Sequence, residues 1–240
     1  MPVTDESNGA KRFVPKIYLF ALLIFQVSFM SFLVSLSPSV YWLDSGELQA
    51  ALPQLGIPHS PSFPTYMITN HPSRYLPFGD MAFRANLLTA VSGSMIGVLI
   101  FIILTLLRPP KRLSEWWICF IIGLSSVFNP MIWFQNLKAE IYALNILLLL
   151  GAVICMLKIL NKPEDQRLRF RCSSIGVVLL GLGLTNHSLL TVHIAPALLL
   201  FFLMVVNRYK FKEFLTYSVI FIFTLSIYIY LPIRSAGNPW

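Results

Sequence analysis

Two carboxylates stand where an apolar run gives way to a polar loop. Asp44 and Glu47 lie three residues apart in the stretch YWLDSGELQAALPQLGIPHSPSFPTY, and His59 follows among the prolines. A carboxylate in such a place can take a proton from a hydroxyl group as a general base. The same spacing fits a capping box, with Asp44 as the N-cap of a short helix and Glu47 at its third position. Spacing alone leaves both interpretations open, and they are compatible.

The composition predicts that these acids belong to a membrane protein. The chain of 240 residues is 56% hydrophobic and only 12% charged, with a mean hydropathy of +0.71. Several apolar runs reach about 18 residues or more, which is the length that spans a bilayer core of about 30 Å. The three cysteines (Cys119, Cys155 and Cys172) lie in or beside such runs without motif spacing, so we interpret them as buried thiols. The predicted class is an all-α polytopic membrane protein.

The hydropathy pattern predicts about seven transmembrane helices, at approximately 17–37, 83–107, 116–134, 140–160, 173–186, 188–206 and 213–233. Residues 1–12 are expected to form a short disordered cytoplasmic tail, and residues 13–240 one transmembrane module. Its first outer loop, 38–82, is expected to contain short helices. Because residues 173–206 have basic clusters at both ends, this run should cross twice as a hairpin with its apex at Thr185–Ser188.

The basic residues indicate the orientation of the chain. With the N-terminus in the cytoplasm, fourteen of the 18 lysines and arginines fall on the cytoplasmic side, in agreement with the positive-inside rule. The net charge of +8 is therefore a topology signal, and nucleic acid is not a predicted partner. The outer side should carry four cations, four acids and three histidines: Arg74, Arg84, Lys138, Arg234, Asp44, Glu47, Asp80, Glu140, His59, His71 and His187. This layout suits an anionic lipid head group held by cations beside an acting carboxylate.

Structural roles for the same residues stay open. Asp80 fits the N-cap of the second long helix. Lys138 and Glu140 fit interfacial anchors, and His59 and His71 fit surface positions in a proline-rich loop. No residues show metal-ligand spacing, and no cofactor is predicted.

Several motifs in order resemble one family. The stretch DSGELQAALPQLGIPHSPSFPTY is followed by LPFGDMAFRANLLTAV, WFQNLKAEIYALN, GLGLTNHSLL and YLPIRSAGNPW, which together cover nearly all of residues 40–240. They resemble the transmembrane protein O-mannosyltransferases, which include the plexin-modifying enzyme of animals and many bacterial relatives. The family's H-P-P-G is replaced by His59-Ser60-Pro61-Ser62 in this chain. The likeness covers the N-terminal seven-helix module, since the family continues with more helices.

The resemblance implies a GT-C type, inverting glycosyltransferase that needs no metal. It would transfer a sugar, with mannose expected, from a polyprenyl- or dolichyl-phosphate donor to a Ser/Thr hydroxyl of a protein. Asp44 would be the base and Glu47 would orient Asp44 or the acceptor, although these two could exchange roles; Glu140 would be a second acid. The implied substrate ligands are His59, Arg84, Asn86, Lys138, His187 and Arg234.

The expected location is the bacterial cytoplasmic membrane or the endoplasmic reticulum membrane. Two other functions fit the same residues. One is a non-catalytic protein that binds or transports lipid-linked sugars, and the other is an inactive, truncated relative that serves as a partner subunit.

The predicted orientation can be tested by labelling single cysteines in a chain whose native cysteines are replaced. Cysteines near Ser62 and Asn238 should react with an impermeant reagent from outside, because each follows an odd number of crossings from the cytoplasmic N-terminus. Cysteines near Gln166 and Tyr209 should react only from inside. Labelling near Gln166 from outside would contradict the topology.

Overall fold

The computed structural model describes residues 6–237, and for residues 6–14 and Asn207 it describes the backbone alone. Within this range the chain forms eleven α-helices and short 3₁₀ turns. The helices are α1 Glu6–Ser35, α2 Asp44–Ala51, α3 Pro64–Asn70, α4 Met81–Leu107, α5 Leu113–Val127, α6 Pro130–Gln135, α7 Tyr142–Asn161, α8 Gln166–Val192, α9 Ala195–Val205, α10 Phe211–Leu225 and α11 Tyr230–Ala236.

Among the described residues, five segments are long and apolar enough to cross a membrane: Pro15–Ser35, Met81–Leu107, Tyr142–Asn161, Gln166–Val192 and Phe211–Ala236. Leu113–Val127 and Ala195–Val205 are shorter apolar helices. The all-α polytopic class predicted from hydropathy is therefore confirmed. The outer loop contains α2 and α3, as expected.

Some helix boundaries differ from the predicted ones. α1 begins at Glu6, inside the predicted tail, and residues 1–5 of that tail lie outside the described residues. The helix predicted at 116–134 is divided after Val127, because Asn129 starts α6 by accepting the Met131 N–H at 3.0 Å. Pro130, which has no N–H group, occupies the first position of α6 and fits a new helix start better than a helix interior.

The chain reverses direction at His187, within the predicted apex, and the double crossing of the membrane stays a prediction. The backbone of this residue is non-helical, with φ −152° and ψ 96°. Eight residues of straight helix would span about 12 Å, yet a Cβ on Gly183 would lie 3.0 Å from Oγ1 of Thr191. The chain therefore reverses between them. Val205 of α9 then packs with Cys172 near the start of α8.

The two ends of the bundle have different chemistry. At one end, Arg208 pairs with Glu164 at 3.0 Å, and Arg169 pairs with Glu213 at 3.4 Å. The outer loop gathers at the other end, where Thr65 bonds Thr185 at 2.6 Å between their hydroxyls. Most of the predicted cytoplasmic cations thus flank helix ends remote from the outer loop. The orientation itself stays a prediction.

Close helix packing in the centre depends on small residues. A Cβ on Gly97 of α4 would lie 2.7 Å from the carbonyl oxygen of Gly123 in α5. Such an approach leaves no room for a side chain at Gly97. Phe20, Phe101 and Trp116 fill the neighbouring core and join α1 to α4 and α5.

Asp80 is the N-cap of α4, as predicted. Its Oδ1 accepts the Phe83 N–H at 2.7 Å, and its Oδ2 accepts the Ser39 hydroxyl at 2.6 Å. Both bonds favour the ionised carboxyl, and they hold the pKa of Asp80 below its ordinary value. The bond from the Phe83 N–H has the larger effect, and the bond from Ser39 comes next. The cap therefore ties the outer loop to α4.

Replacing Asp80 should weaken this junction in a pH-dependent way. Asp80→Ala should cost about 0.5–2 kcal/mol, and Asp80→Asn less, because an asparagine can still cap. A carboxyl whose pKa is lowered by folding stabilises above its unfolded pKa and loses that effect as the pH falls through the folded value. The advantage of wild type over Asp80→Asn should therefore shrink on acidification, as measured by thermal unfolding in detergent. An advantage that grew on acidification would contradict this assignment.

Candidate active site

A cavity of about 110 Å³ lies at the outer-loop end of the bundle. Four segments line it: the start of α2, the loop after residue 58, the start of α7 and the apex of the hairpin. The fold brings together four predicted site residues that are far apart in sequence: Asp44, His59, Glu140 and His187. A larger cavity of about 210 Å³ lies between α7, α8, α9 and α10, but no carboxylate, histidine, lysine or arginine lines it.

Asp44 is the first residue of α2, and its side chain is exposed. The predicted capping box is wrong, because the N-cap is Leu43, which has φ 58° and ψ −145°. From inside the helix, the Asp44 side chain makes no capping bond. Among the residues that the structure describes, its carboxylate has no hydrogen bond or ion pair. Its charge still lies in the first helical turn, which favours acids.

The Glu47 carboxylate binds His59 and makes no bond to a backbone N–H at the start of α2. Its Oε1 accepts the His59 backbone N–H at 2.6 Å, and its Oε2 lies 2.5 Å from His59 Nδ1. The two bonds fix the imidazole relative to α2. His59 thereby stays at the cavity wall although its loop is rich in proline.

Glu140 is buried together with a counter-charge. Lys138 forms an ion pair with its Oε1, and the Ser45 hydroxyl donates to the same oxygen at 3.0 Å. The Lys138 ammonium also lies 5.4 Å from the Tyr41 ring centre and 5.2 Å from that of Phe134. The lysine is only 8% exposed and Glu140 only 6%. Each charge therefore compensates the cost of burying the other.

Asn86 is fully buried. Its Oδ1 accepts from Gln49 Nε2 at 2.6 Å and from the Ala139 N–H at 2.8 Å. Its Nδ2 donates to the carbonyls of Ser37 at 2.9 Å and Ser39 at 3.3 Å. The side chain thus joins α2, the segment before α7 and the segment after α1. It does not line the cavity.

Arg84 and Arg234 direct their guanidinium groups to the backbone of the outer loop. Arg84 Nε donates to the carbonyls of Phe78 at 3.0 Å and Gly79 at 3.1 Å. Arg234 donates to the carbonyls of Leu55 at 2.8 Å and Gln54 at 2.5 Å. Cations favour the carbonyl end of a helix, which is where the Arg234 contacts lie after α2. Neither arginine lines the cavity, so phosphate binding by them stays a prediction.

His187 is held in one orientation at the apex of the hairpin. Its Nδ1 accepts the Leu190 N–H at 3.0 Å. Its ring stacks on Phe63 at 6.3 Å between ring centres and lies 5.6 Å from the Tyr142 ring. The preceding Asn186 is buried and donates to the Ile141 carbonyl at 3.1 Å, which joins the apex to the start of α7.

Three site residues escaped sequence reasoning: Ser45, Tyr142 and Tyr66. Ser45 lies inside the DSGEL motif, and Tyr142 lies two residues after Glu140, so proximity to candidate acids was an available signal. Tyr66 in α3 is almost fully buried, and burial raises the pKa of its phenol. It therefore stays neutral beside the cavity.

Removal of the Asn86 carboxamide should destabilise this end of the protein. Asn86→Ala would leave the Gln49 amide, the Ala139 N–H and the Ser37 carbonyl without their partner. Each unsatisfied buried polar group costs about 1–3 kcal/mol. We expect a much lower thermal unfolding midpoint in detergent.

Asn161→Ala is the matched control, because Asn161 makes one exposed bond to the Leu106 carbonyl at 2.9 Å. Its midpoint should change little. Equal shifts in the two variants would show that Asn86 has no special structural role.

Comparison with known proteins gives one consistent family. The family model for the Protein O-mannosyl-transferase TMEM260 N-terminal domain matches residues 44–213. The chain is 27% identical to Protein O-mannosyl-transferase TMEM260 of Mus musculus over 207 residues, which cover 85% of this chain and 29% of the relative. It is 23% identical to Protein O-mannosyl-transferase tmem260 of Dictyostelium discoideum over 170 residues, which cover 66% of this chain and 20% of the relative. The chain thus spans under a third of these relatives, and no solved structure matches it significantly.

Proposed function

Because the chain belongs to the Protein O-mannosyl-transferase TMEM260 N-terminal domain family, we propose that it forms the catalytic part of a GT-C type protein O-mannosyltransferase. The observation that carries the proposal is the carboxylate of Asp44. It is unpaired within the described part of the chain, and it lines a cavity beside His59, Glu140 and His187 at one end of an apolar bundle. A lipid-linked donor keeps its tail in the bilayer, so its sugar would reach this end.

The proposed reaction is an inverting displacement on a polyprenyl- or dolichyl-phosphate mannose. The Ser/Thr hydroxyl oxygen of a protein acceptor attacks the anomeric carbon. The bond from that carbon to the phosphate oxygen breaks, and the lipid phosphate leaves with the electron pair. Asp44 takes the hydroxyl proton, because a neutral hydroxyl is a weak nucleophile.

Glu140 is a poor candidate for the base in this arrangement. The Lys138 ammonium and the Ser45 hydroxyl both bind its Oε1, so this oxygen is already occupied. Its Oε2 takes no hydrogen bond from any described residue, and the residue lines the cavity. We propose that Oε2 accepts a charge-assisted hydrogen bond from a hydroxyl of the sugar.

Four other predicted ligands position parts of the protein in this proposal and do not contact the substrate. Lys138 holds Glu140, and Asn86 holds the segment that carries both. Arg84 and Arg234 fix the outer loop through its carbonyls. The enzyme would lie in the bacterial cytoplasmic membrane or the endoplasmic reticulum membrane with its N-terminus in the cytoplasm.

Asp44→Asn should abolish most transfer without affecting insertion. The amide has nearly the same shape but cannot take the proton, and loss of a general base typically lowers rates by about 10²–10⁴. The measurement is transfer of radiolabelled mannose from polyprenyl-phosphate mannose to a protein acceptor in membranes. Asp80→Asn is the matched control, because it makes the same chemical change at another outer helix start outside the cavity.

Different outcomes point to different functions. Full activity of Asp44→Asn would exclude Asp44 as the base and favour Glu47 or Glu140. Saturable donor binding without transfer by the wild type would favour the non-catalytic carrier.

A further inference from the structure

The hydrogen-bond partners of the ring nitrogens define the tautomers of all four histidines. A neutral imidazole carries one proton, and the partner of one nitrogen decides where it lies. His71 Nδ1 lies 2.8 Å from the Leu52 carbonyl oxygen, and His193 Nδ1 lies 2.8 Å from that of Leu189. Carbonyl oxygens only accept, so both rings carry the proton on Nδ1. These two residues lie outside the candidate site and serve as internal references.

His59 has the same tautomer, imposed by a carboxylate. Glu47 Oε2 accepts from Nδ1 at 2.5 Å, while Oε1 accepts the His59 backbone N–H at 2.6 Å. An ionised carboxylate can only accept, so the proton lies on Nδ1. Nε2 is left with a lone pair, and no described residue donates to it. His59 therefore contributes a hydrogen-bond acceptor at the cavity wall.

His187 has the opposite tautomer. Its Nδ1 accepts the Leu190 backbone N–H at 3.0 Å, and a backbone N–H can only donate. The ring proton must therefore lie on Nε2, which has no described acceptor. His187 contributes a donor to the same cavity, which no lysine or arginine lines among the described residues.

We propose that this pair of opposite tautomers recognises the sugar-phosphate head of the donor: His59 Nε2 accepts from a hydroxyl of the transferred sugar, and the His187 Nε2–H donates to an anionic oxygen of the phosphate. The assignment rests on the proposed function. In this assignment Asp44 alone takes the proton of the acceptor hydroxyl. His59 is then not a second base and can bind the donor. Glu47 becomes a positioning residue that acts on the donor through His59.

The variant that tests Glu47 is Glu47→Gln. Glutamine offers one acceptor oxygen and one NH₂ group where glutamate offers two acceptors. The His59 backbone N–H cannot change its role, so it takes the oxygen. The NH₂ group then faces Nδ1, which must accept, and the ring proton moves to Nε2. One nearly isosteric change thus converts the acceptor at the cavity wall into a donor.

The tautomers can be measured without any assay of activity. The full chain, labelled with ¹⁵N-histidine in bilayers, is studied by NMR at mildly alkaline pH, where a free imidazole is neutral. Signals are assigned by replacing each histidine in turn with asparagine. We expect protonated Nδ1 in His59, His71 and His193, and protonated Nε2 in His187.

Glu47→Gln should move only the His59 proton. Glu164→Gln, which alters an exposed ion pair at the opposite end, should move none. A wild-type His59 protonated on Nε2, or a His187 protonated on Nδ1, would overturn the assignment.

Kinetics test the link to the donor. Glu47→Gln and His59→Ala should each raise the KM for the lipid-linked sugar about three- to tenfold, as expected for one lost hydrogen bond, with the acceptor KM unchanged. The double variant should be no worse than His59→Ala, since Glu47 acts through His59. His187→Gln, which can place an amide NH₂ near the Nε2 position, should retain more donor affinity than His187→Ala.

The two proposals fail in different ways. A change confined to the acceptor KM would overturn the donor assignment. No transfer by the wild type would overturn the proposed function, while the NMR spectra would still decide the tautomers.

Discussion

The site depends on the buried carboxamide of Asn86. Its oxygen accepts two hydrogen bonds and its nitrogen donates two. They join α2, the segment that carries Lys138 and Glu140, and the chain that leaves α1. A buried polar group is stable only when its partners are present, so the amide fixes the register of all three segments at once. The amide thereby holds α2, which carries Asp44, against the segment that carries Glu140. Substrate binding by Asn86, which the resemblance implies, stays a prediction.

The outer end of the bundle carries many charged groups, and nearly all of those described here are compensated within the protein. Lys138 compensates Glu140, His59 binds Glu47, and Asp80 caps α4. Arg84 and Arg234 bind backbone carbonyls. Asp44 differs because no described residue binds its carboxylate. The proposed role of Asp44 toward a bound substrate rests on this contrast.

Sequence reasoning succeeded where the signal was local. Hydropathy predicted the long helices, basic flanks predicted the hairpin, and Asp80 before an apolar run predicted a cap. It failed where contacts with a distant segment determine the backbone conformation or the partner of a side chain. Leu43 adopts a positive φ that its own type disfavours, so α2 begins one residue earlier than its capping signal predicts. Arg234 reaches the Gln54 and Leu55 carbonyls across most of the chain. The sequence gives the charge of such a residue but does not identify its hydrogen-bond partner.

The reversal at His187 shows how the fold itself can set the chemistry of a side chain. Within a continuous helix, the Leu190 N–H would bond the carbonyl four residues earlier. Because the backbone of His187 leaves helical geometry, the segment that follows is a new helix start with unpaired N–H groups. The imidazole accepts one of them three residues on, as the side chain of an N-cap does. That bond occupies Nδ1 and leaves the proton on Nε2. The same break that lets the chain reverse therefore also makes His187 a hydrogen-bond donor.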